Sequence, residues 1–212
     1  YKDPATVFTT LKKDGEMMKA GEMAFEVEAS VHTILQCERL VLYCMQRMSG
    51  IARLTQQFVG RLYGHKTKLL DTRKTTPNFR LLEKEAVKIG GGVNHRFGLY
   101  DMIMLKDNHI AYCGGIESAI NEAVKYLQKK KLDLKIEIET RNIEDVQNVI
   151  AVGKGKVFRI MLDNFTPEQI SEALKLIGEV PKASGIETEA SGGINLDNIE
   201  DYAETGVDYV SV

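Results

Sequence analysis

The sequence predicts an α/β fold assembled from successive parallel βα units. Three observations predict it. From residue 66 onward, short apolar stretches alternate with amphipathic ones, a strand recurring roughly every 20 to 30 residues, which is the spacing of parallel crossover units. Polar residues gather where each apolar stretch ends. The 212 residues are 43% apolar and 27% charged, enough apolar surface for a substantial core and not the balance of a disordered chain. Two architectures compete, a barrel of parallel units and an open doubly wound sheet. No Gly-x-Gly-x-x-Gly follows the first strand, which weakens the dinucleotide-binding form of the second.

Residues 1–30 read as short strands and turns, with Asp14-Gly15 and Ala20-Gly21 as turn signals and a period-two stretch over 24–29. Val31, Ile34, Leu35, Leu40, Val41, Met45 and Met48 predict one or two helices ending near Ser49-Gly50, and a second helical run follows over 51–62. The remaining expectations are a strand at 66–72, a helix at 78–89 closed by three glycines, a strand at 101–106 and a helix at 116–130. Strands at 134–139 and 157–162 follow, with a helix at 143–152 between them. Thr166-Pro167-Glu168-Gln169 supplies an N-cap, a proline at the first helical position and a polar N3 residue for a helix to Gly178. A strand at 185–189, a helix at 196–204 and a strand at 207–212 complete the series.

Lys+Arg is 28 and Asp+Glu 30, a net charge of −2, which is not a nucleic-acid binder's balance. The charge is uneven, however. Residues 61–109 hold ten Lys/Arg against five Asp/Glu, together with three of the four histidines, a concentration suited to an anionic partner. No apolar run reaches the ~20 residues needed to span a bilayer, and no signal-peptide pattern opens the chain. Cys37, Cys44 and Cys113 are odd in number and form no CxxC; we expect inert free thiols in a reducing compartment, with the cytoplasm the simplest home. The first residue is Tyr1 and the last stretch reads as a strand, so we expect that residues are missing at both ends.

Five polar clusters close strands in series: Asp71 to Lys74, Lys106 to His109, Glu139, Asp163-Asn164 and Ser191-Gly192-Gly193. Barrel enzymes build their sites from several strand ends, so the series favours a barrel. Side-chain alternation adds to this. Glu139 shares a face with Glu137 and Lys135, Lys106 with Met104 and Met102, and Asp163 with Met161 and Arg159. Arg73 offers a planar fork for carboxylate or phosphate and Lys74 a mobile point charge. Gly90-Gly91-Gly92 permits close backbone approach to a ligand, with His95 and Arg96 just behind. The Ser191-Gly192-Gly193 amides can cradle a phosphate at a helix N-terminus, or form a plain tight turn. Glu139 and Asp163 can hold a divalent ion, bind ribose hydroxyls or face a developing cation. A metal site at His95 and His109 lacks any standard ligand spacing.

The run Asp71-Thr72-Arg73-Lys74-Thr75, then Gly90-Gly91-Gly92-Val93-Asn94-His95-Arg96-Phe97-Gly98-Leu99-Tyr100-Asp101, then Lys106-Asp107-Asn108-His109 resembles quinolinate phosphoribosyltransferase, also called nicotinate-nucleotide pyrophosphorylase (carboxylating). Glu38-Arg39 and Ser49-Gly50-Ile51-Ala52 match upstream. Leu162-Asp163-Asn164-Phe165, Ser191-Gly192-Gly193 and Gly206-Val207-Asp208-Tyr209 match downstream, in order. Arg53 and Tyr43 depart from the family's usual residues. The resemblance implies the tail of a smaller N-terminal α+β domain over 1–30 and a type II phosphoribosyltransferase-like α/β barrel over 31–212, the barrel's last glycine-rich phosphate loop being due at about Val212.

It further implies transfer of a phosphoribosyl group from phosphoribosyl pyrophosphate to quinolinate, with release of CO2 and pyrophosphate, giving nicotinate mononucleotide for NAD biosynthesis. By motif position, Arg73, His95, Arg96 and Lys106 would surround the two quinolinate carboxylates, and Thr72 belongs to the same substrate-binding motif. Lys74, Glu139 and Asp163 would handle phosphoribosyl pyrophosphate and Mg²⁺, as the catalytic set. Ser191, Gly192 and Gly193 would take the 5′-phosphate. Arg39 would reach into a neighbouring subunit's site, which implies a homodimer or higher homo-oligomer. Two other readings compete: a related phosphoribosyltransferase with another acidic acceptor, and a non-catalytic anion-binding module.

Overall fold

In the computed structural model, residues 4–179 and 185–212 are described; the first three positions of the expected 1–30 segment lie outside them. The chain forms two compact units. Unit 1 comprises residues 1–56 and 75–92, and unit 2 comprises 57–74 and 93–212. This division differs from the expected break at residue 30. Among the described residues no helix is long and apolar enough to cross a membrane.

Unit 1 opens with strands β1 (Val7–Thr10) and β2 (Phe25–Glu28), paired antiparallel from Val7↔Glu28 to Thr10↔Phe25. Phe8 and Phe25 stack across the pair with ring centroids 4.9 Å apart. Helix α1 runs unbroken over Val31–Arg61, where the sequence reading stopped a helix at Ser49-Gly50 and started another. An interior glycine costs a helix only about 1 kcal/mol, less than the cost of nucleating a second one. Helix α2 (Arg80–Ile89) is tied to α1 through Glu83, which accepts from Arg47 Nε at 2.9 Å and Nη2 at 2.8 Å. Thr76 donates to the same carboxylate through its amide and its hydroxyl, at 3.1 and 2.7 Å. Burial would raise the Glu83 pKa, but these four donors hold it below its ordinary value.

The glycine run has a packing role in this unit. A Cβ at Gly90 would meet the Ala52 carbonyl oxygen at 2.5 Å and Thr55 Cβ at 2.6 Å, and one at Gly92 would meet Val87 Cγ1 at 2.7 Å. The expected close approach is therefore to helix α1 and to α2's own last turn, with no ligand needed to explain it.

Unit 2 is a six-stranded parallel sheet in the order β3-β8-β7-β6-β5-β4. Its strands are β3 (Lys68–Leu70), β4 (Ile103–Leu105), β5 (Ile136–Thr140), β6 (Arg159–Asp163), β7 (Glu187–Ser191) and β8 (Tyr209–Ser211). Helices α4 (Ile116–Lys130), α5 (Ile143–Gly153), α6 (Pro167–Gly178) and α7 (Ile199–Glu204) make the crossovers between them. α6 starts with the expected capping box, Gln169 N–H donating to Thr166 Oγ1 and Thr166 N–H to Gln169 Oε1. A further helix, α3 (Asp107–Cys113), stands where only a polar loop was expected. Its start is fixed by the Lys106 amide, which donates to His109 Nδ1 at 2.9 Å.

One face of each strand packs against the helices. Ile136, Ile138, Ile160, Leu162, Ala190 and Val210 join Ile120, Val146, Val149, Ile170 and Ile199 in one core, each large side chain worth about 1.5–3 kcal/mol of transfer free energy. The opposite face carries Glu137, Glu139, Arg159, Met161, Asp163, Glu187, Glu189 and Ser191, as the alternation predicted. β3 and β4 are the edges of the ladder, and the chain at Val93 adds to β3 by donating to Leu69 O at 2.8 Å. His95, two residues on, touches Glu137 of β5 and Glu189 of β7. In a flat sheet those strands would lie well over 10 Å from it at about 4.8 Å per strand. The sheet therefore curls around an interior, the barrel alternative, and residues 93–102 lie between its two edges.

These contacts set a contrast between two glycines. Gly90→Ala should destabilise the protein by about 1–3 kcal/mol, because neither the Ala52 carbonyl nor Thr55 can withdraw without moving α1. Gly60→Ala, with nothing within 4 Å of its new Cβ, should stabilise by about 0.5 kcal/mol. Urea unfolding of both variants checks the signs.

Candidate active site

The site is built on the strand ends of unit 2. Just after β3, the Asp71 amide donates to Val93 O at 3.1 Å and Asp71 Oδ1 accepts the His95 amide at 2.7 Å. These bonds join two stretches distant in sequence, so Thr72, Arg73 and Lys74 leave the barrel beside His95 and Arg96. Thr72 Oγ1 accepts the Lys74 amide at 3.1 Å, a local turn that leaves Arg73 half-buried and Lys74 exposed.

Arg96 is aimed by β4: its Nη1 donates to Met102 O at 3.2 Å and its Nη2 lies 3.4 Å from Met104 Sδ. Burial, and then the neighbouring Arg73 charge, disfavour the cation on Arg96, with Glu137 and Asp101 opposing. Arginine stays protonated regardless. Two neighbouring guanidiniums therefore concentrate positive charge in a half-buried setting.

Lys106 ends β4, and its Nζ donates to Glu139 Oε2 of β5 at 2.8 Å. Asp163 ends β6 and accepts from Asn164 Nδ2 at 2.9 Å. Ser191 pairs with Asp163 in the β6–β7 register and accepts the Asn164 amide at 2.7 Å. Gly192 and Gly193 have φ of +93° and +69°, left-handed conformations that favour glycine. The Asn164 side chain fills the space a Gly192 side chain would occupy. The glycines do not open a helix, as the sequence reading allowed. α7 starts only at Ile199, and Asn198 closes the intervening turn by donating to Gly193 O at 3.0 Å and accepting the Asn195 amide at 2.7 Å. His109 is occupied in the α3 cap, away from any pairing with His95. Arg39 lies in unit 1, exposed on α1 with its guanidinium carbon 5.8 Å from the Tyr43 ring centre.

A buried ionic cluster stands inside the barrel, and sequence reasoning gave it no role. His95 Nε2 lies 2.8 Å from Glu137 Oε2 and 3.3 Å from Glu189 Oε2, and both glutamates are 0% exposed. Arg159 Nη1 donates to Glu189 Oε2 at 3.0 Å, its Nη2 donates to Glu187 at 2.8 Å, and its guanidinium carbon lies 4.3 Å from the Tyr209 ring centre. His95 Nδ1 accepts the Arg96 amide at 2.6 Å. Burial lowers the His95 pKa, but Glu137 and Glu189 outweigh it and push it up to about 9. The amide at Nδ1 opposes a second ring proton; Nε2 carries a proton in either state. Burial, reinforced by the Glu189 charge, holds the Glu137 carboxyl above its ordinary value against the pull of His95. The donor atoms of His95, Glu137 and Glu189 converge within 4.8 Å, close enough to hold a metal ion, but Arg159 already places a positive charge on Glu189 and the imidazole faces Glu137 with its Nε2. The signal was present in the sequence as charge recurring on one face of three strands: Glu137 and Glu139, Arg159 and Asp163, Glu187 and Glu189. An apolar cavity of about 720 Å³ lies in unit 1, against β1, β2 and the start of α1, and contains none of the expected site residues.

Fold and site together define an α/β protein whose strand-end rim brings cations and carboxylates together. The pattern described as "Quinolinate phosphoribosyl transferase, C-terminal domain" matches residues 51–212, and its N-terminal counterpart matches residues 4–49. The chain belongs to the quinolinate phosphoribosyltransferase family. A probable nicotinate-nucleotide pyrophosphorylase [carboxylating] of Bacillus subtilis is 44% identical over 201 residues, 95% of this chain and 66% of that protein. Quinolinate phosphoribosyltransferase [decarboxylating] 1b of Nicotiana tabacum is 40% identical over 221 aligned positions, 99% of this chain and 61% of that protein. The chain thus spans just under two thirds of the length of these relatives. The crystal structure of NadC from Streptococcus pyogenes superimposes with a TM-score of 0.87 at 40% identity, covering 99% of this chain and 70% of that one.

The loop after Arg96 yields a pH prediction. Asp101 accepts the Phe97 and Gly98 amides at 2.6 and 2.9 Å. Burial raises its pKa, but these amides bring it below the usual carboxylate value. A pKa lower in the folded chain gives stability that is complete above the unfolded value, about 3.9, and is lost as pH falls through the folded one. Hydrogen-exchange protection of the Phe97 and Gly98 amides should therefore be complete at about pH 5 and be lost progressively as the pH falls below the unfolded carboxylate value. In Asp101→Asn it should be weak at every pH.

Proposed function

We propose that this chain catalyses phosphoribosyl transfer from phosphoribosyl pyrophosphate to quinolinate, with decarboxylation to nicotinate mononucleotide, in NAD biosynthesis. It would be a pentosyltransferase within the glycosyltransferases. The observation that carries the reading is the Arg73–Arg96 pair of repelling guanidiniums, set on the same rim as the Lys106–Glu139 ion pair and Asp163. Relatives of about 40% identity named for this reaction support it.

Quinolinate is a pyridine carrying two adjacent carboxylates. Arg73 and Arg96 would grip one between them, with Lys106 turning from Glu139 toward the other. His95 would contribute from beneath the rim. The pyridine nitrogen then donates its lone pair to C1 of the ribose as the bond from C1 to the pyrophosphate oxygen breaks. Positive charge develops on the ribose in that step, and Glu139 and Asp163 would face it, an interaction strongest in the transition state. Lys74, exposed and mobile, would neutralise the departing pyrophosphate. Once the nitrogen is quaternary, the bond from C2 to its carboxylate can break with the electron pair held on C2 beside the cationic nitrogen. CO2 leaves and C2 takes a proton from solvent.

The Ser191-Gly192-Gly193 turn, with Thr72 beside the cations, would hold the phosphate and ribose ends of the donor. Glu139 and Asp163 are hard oxygen donors on adjacent strands and fit Mg²⁺ shared with the donor's phosphates. When bound, that ion would add charge neutralisation at the leaving group. Arg39, exposed on α1 near Leu35, Leu40 and Tyr43, fits a contribution to another subunit's site and thus a homodimer or higher homo-oligomer. Free thiols at Cys37, Cys44 and Cys113 fit a cytoplasmic setting.

A product assay tests the reading: phosphoribosyl pyrophosphate with quinolinate should release CO2 and yield nicotinate mononucleotide, and nicotinate should be inert. No product from quinolinate removes the assignment. Arg96→Lys should raise the quinolinate KM, because a point charge cannot replace the fork. Glu139→Gln and Asp163→Asn should lower kcat about a hundredfold, the usual effect of losing one transition-state contact, with less change in quinolinate affinity. Steady-state kinetics separates the two effects.

If sites are shared, mixing Arg39→Ala with Lys74→Ala chains should restore activity in the hybrids that carry one intact site. Hybrids that form without recovery would exclude sharing.

A further inference from the structure

We propose that Glu137, Glu189 and Arg159 are positioning residues that act through His95 to fix where Arg96 points. This rests on the acceptor-binding reading of Arg96 given above.

The segment between Val93 and β4 belongs to no helix or strand beyond the single bridge at Val93. A ladder cannot orient it, so its shape depends on the contacts each residue makes. His95 has the most consequential of these. Its amide is held by Asp71 at 2.7 Å, its Nδ1 receives the Arg96 amide at 2.6 Å, and its Nε2 reaches Glu137 and Glu189 at 2.8 and 3.3 Å. The imidazole thus connects the Arg96 backbone to the barrel floor. The floor is itself fixed, because Arg159 grips Glu189 at 3.0 Å and Glu187 at 2.8 Å.

A core needing only stability would be apolar here, as the helix-facing side of the same strands is. Burying two carboxylates is costly, and an ion pair seldom repays it better than hydrophobic packing does. What the ions supply is a set direction for one ring. Arg96 emerges from that ring's neighbouring amide, and its guanidinium is held further by Met102 O and Met104 Sδ. Displacement of a substrate-positioning group by about 1 Å can cost a hundredfold in rate.

The test uses Glu137→Gln and Glu189→Gln, which keep shape and remove charge. Two readouts are needed, one independent of any substrate. Hydrogen exchange of the Arg96 amide should accelerate at least tenfold, while the Asp145 amide, donated to Asn142 Oδ1 in the α5 cap, exchanges as before. The KM for quinolinate should rise at least tenfold, with that for phosphoribosyl pyrophosphate within twofold. Unchanged Arg96 exchange in a folded variant overturns the proposal, and so does a rise in both KM values together. If the unsubstituted chain does not turn over quinolinate, the functional reading fails, and Arg96 exchange alone decides the positioning role. Should the Gln variants not fold, Glu189→Asp keeps the charge while withdrawing the carboxylate, and the same faster exchange is expected of it.

Discussion

A barrel interior that holds charge must neutralise it internally, and this requirement organises unit 2. Glu137 and Glu189 are sealed from water, where an isolated carboxylate would cost several kcal/mol. Arg159 meets that demand with its charge and His95 with its Nε2 donor, from opposite ends. Arg159 comes from the strand between them and is braced by Tyr209 and by the more exposed Glu187. His95 comes from a stretch of the rim that lies outside the strands. The strands therefore have two different cores, an apolar one against the helices and an ionic one along the axis. Because the ionic core is met by a residue arriving from the rim, the rim is fixed to the barrel interior and not only to its neighbouring loops.

The alternation of βα units was legible in the sequence because parallel strands covered by helices have an apolar stretch of characteristic length. The capping box at Thr166 was legible because its chemistry is local. Strand starts were read two residues early, since Lys66, Thr67 and Val207 have strand-like composition but lie outside the ladder. Ser49-Gly50 looked like a helix end because glycine ends many helices; continuity on both sides overrode it. α3 was missed because its cap is an imidazole accepting a lysine amide, outside the usual set of capping side chains. The three glycines looked like a ligand loop because sequence shows freedom of approach without showing what approaches.

The rim residues were legible as a series of polar strand ends, and the structure places Arg73, Arg96, Lys106, Glu139, Asp163 and Ser191 on unit 2. Their pairings were not legible. Lys106 with Glu139 and Asn164 against Gly192 are contacts between loops of adjacent strands, and no spacing in the chain encodes them. They also bear on specificity. Lys106 begins in an ion pair, so any ligand that recruits it must compete with a carboxylate at 2.8 Å, and a weak or singly charged anion competes poorly.

The stretch from Thr72 to Asn94 leaves the barrel and returns to it, and the hydrogen bond between Asp71 and the His95 amide pinches it shut at the base. Most of that excursion, Thr75 to Gly92, belongs to unit 1. For the barrel it is a closed loop whose length enters only logarithmically, about 0.6 kcal/mol for each doubling. Insertions and deletions in the excursion should accumulate readily over evolution, because the barrel senses only that the two ends meet. The residues close to the pinch, Arg73 and Lys74 on one side and His95 and Arg96 on the other, have no such latitude. A family built on this plan can change what the excursion carries while its cationic clasp stays in register.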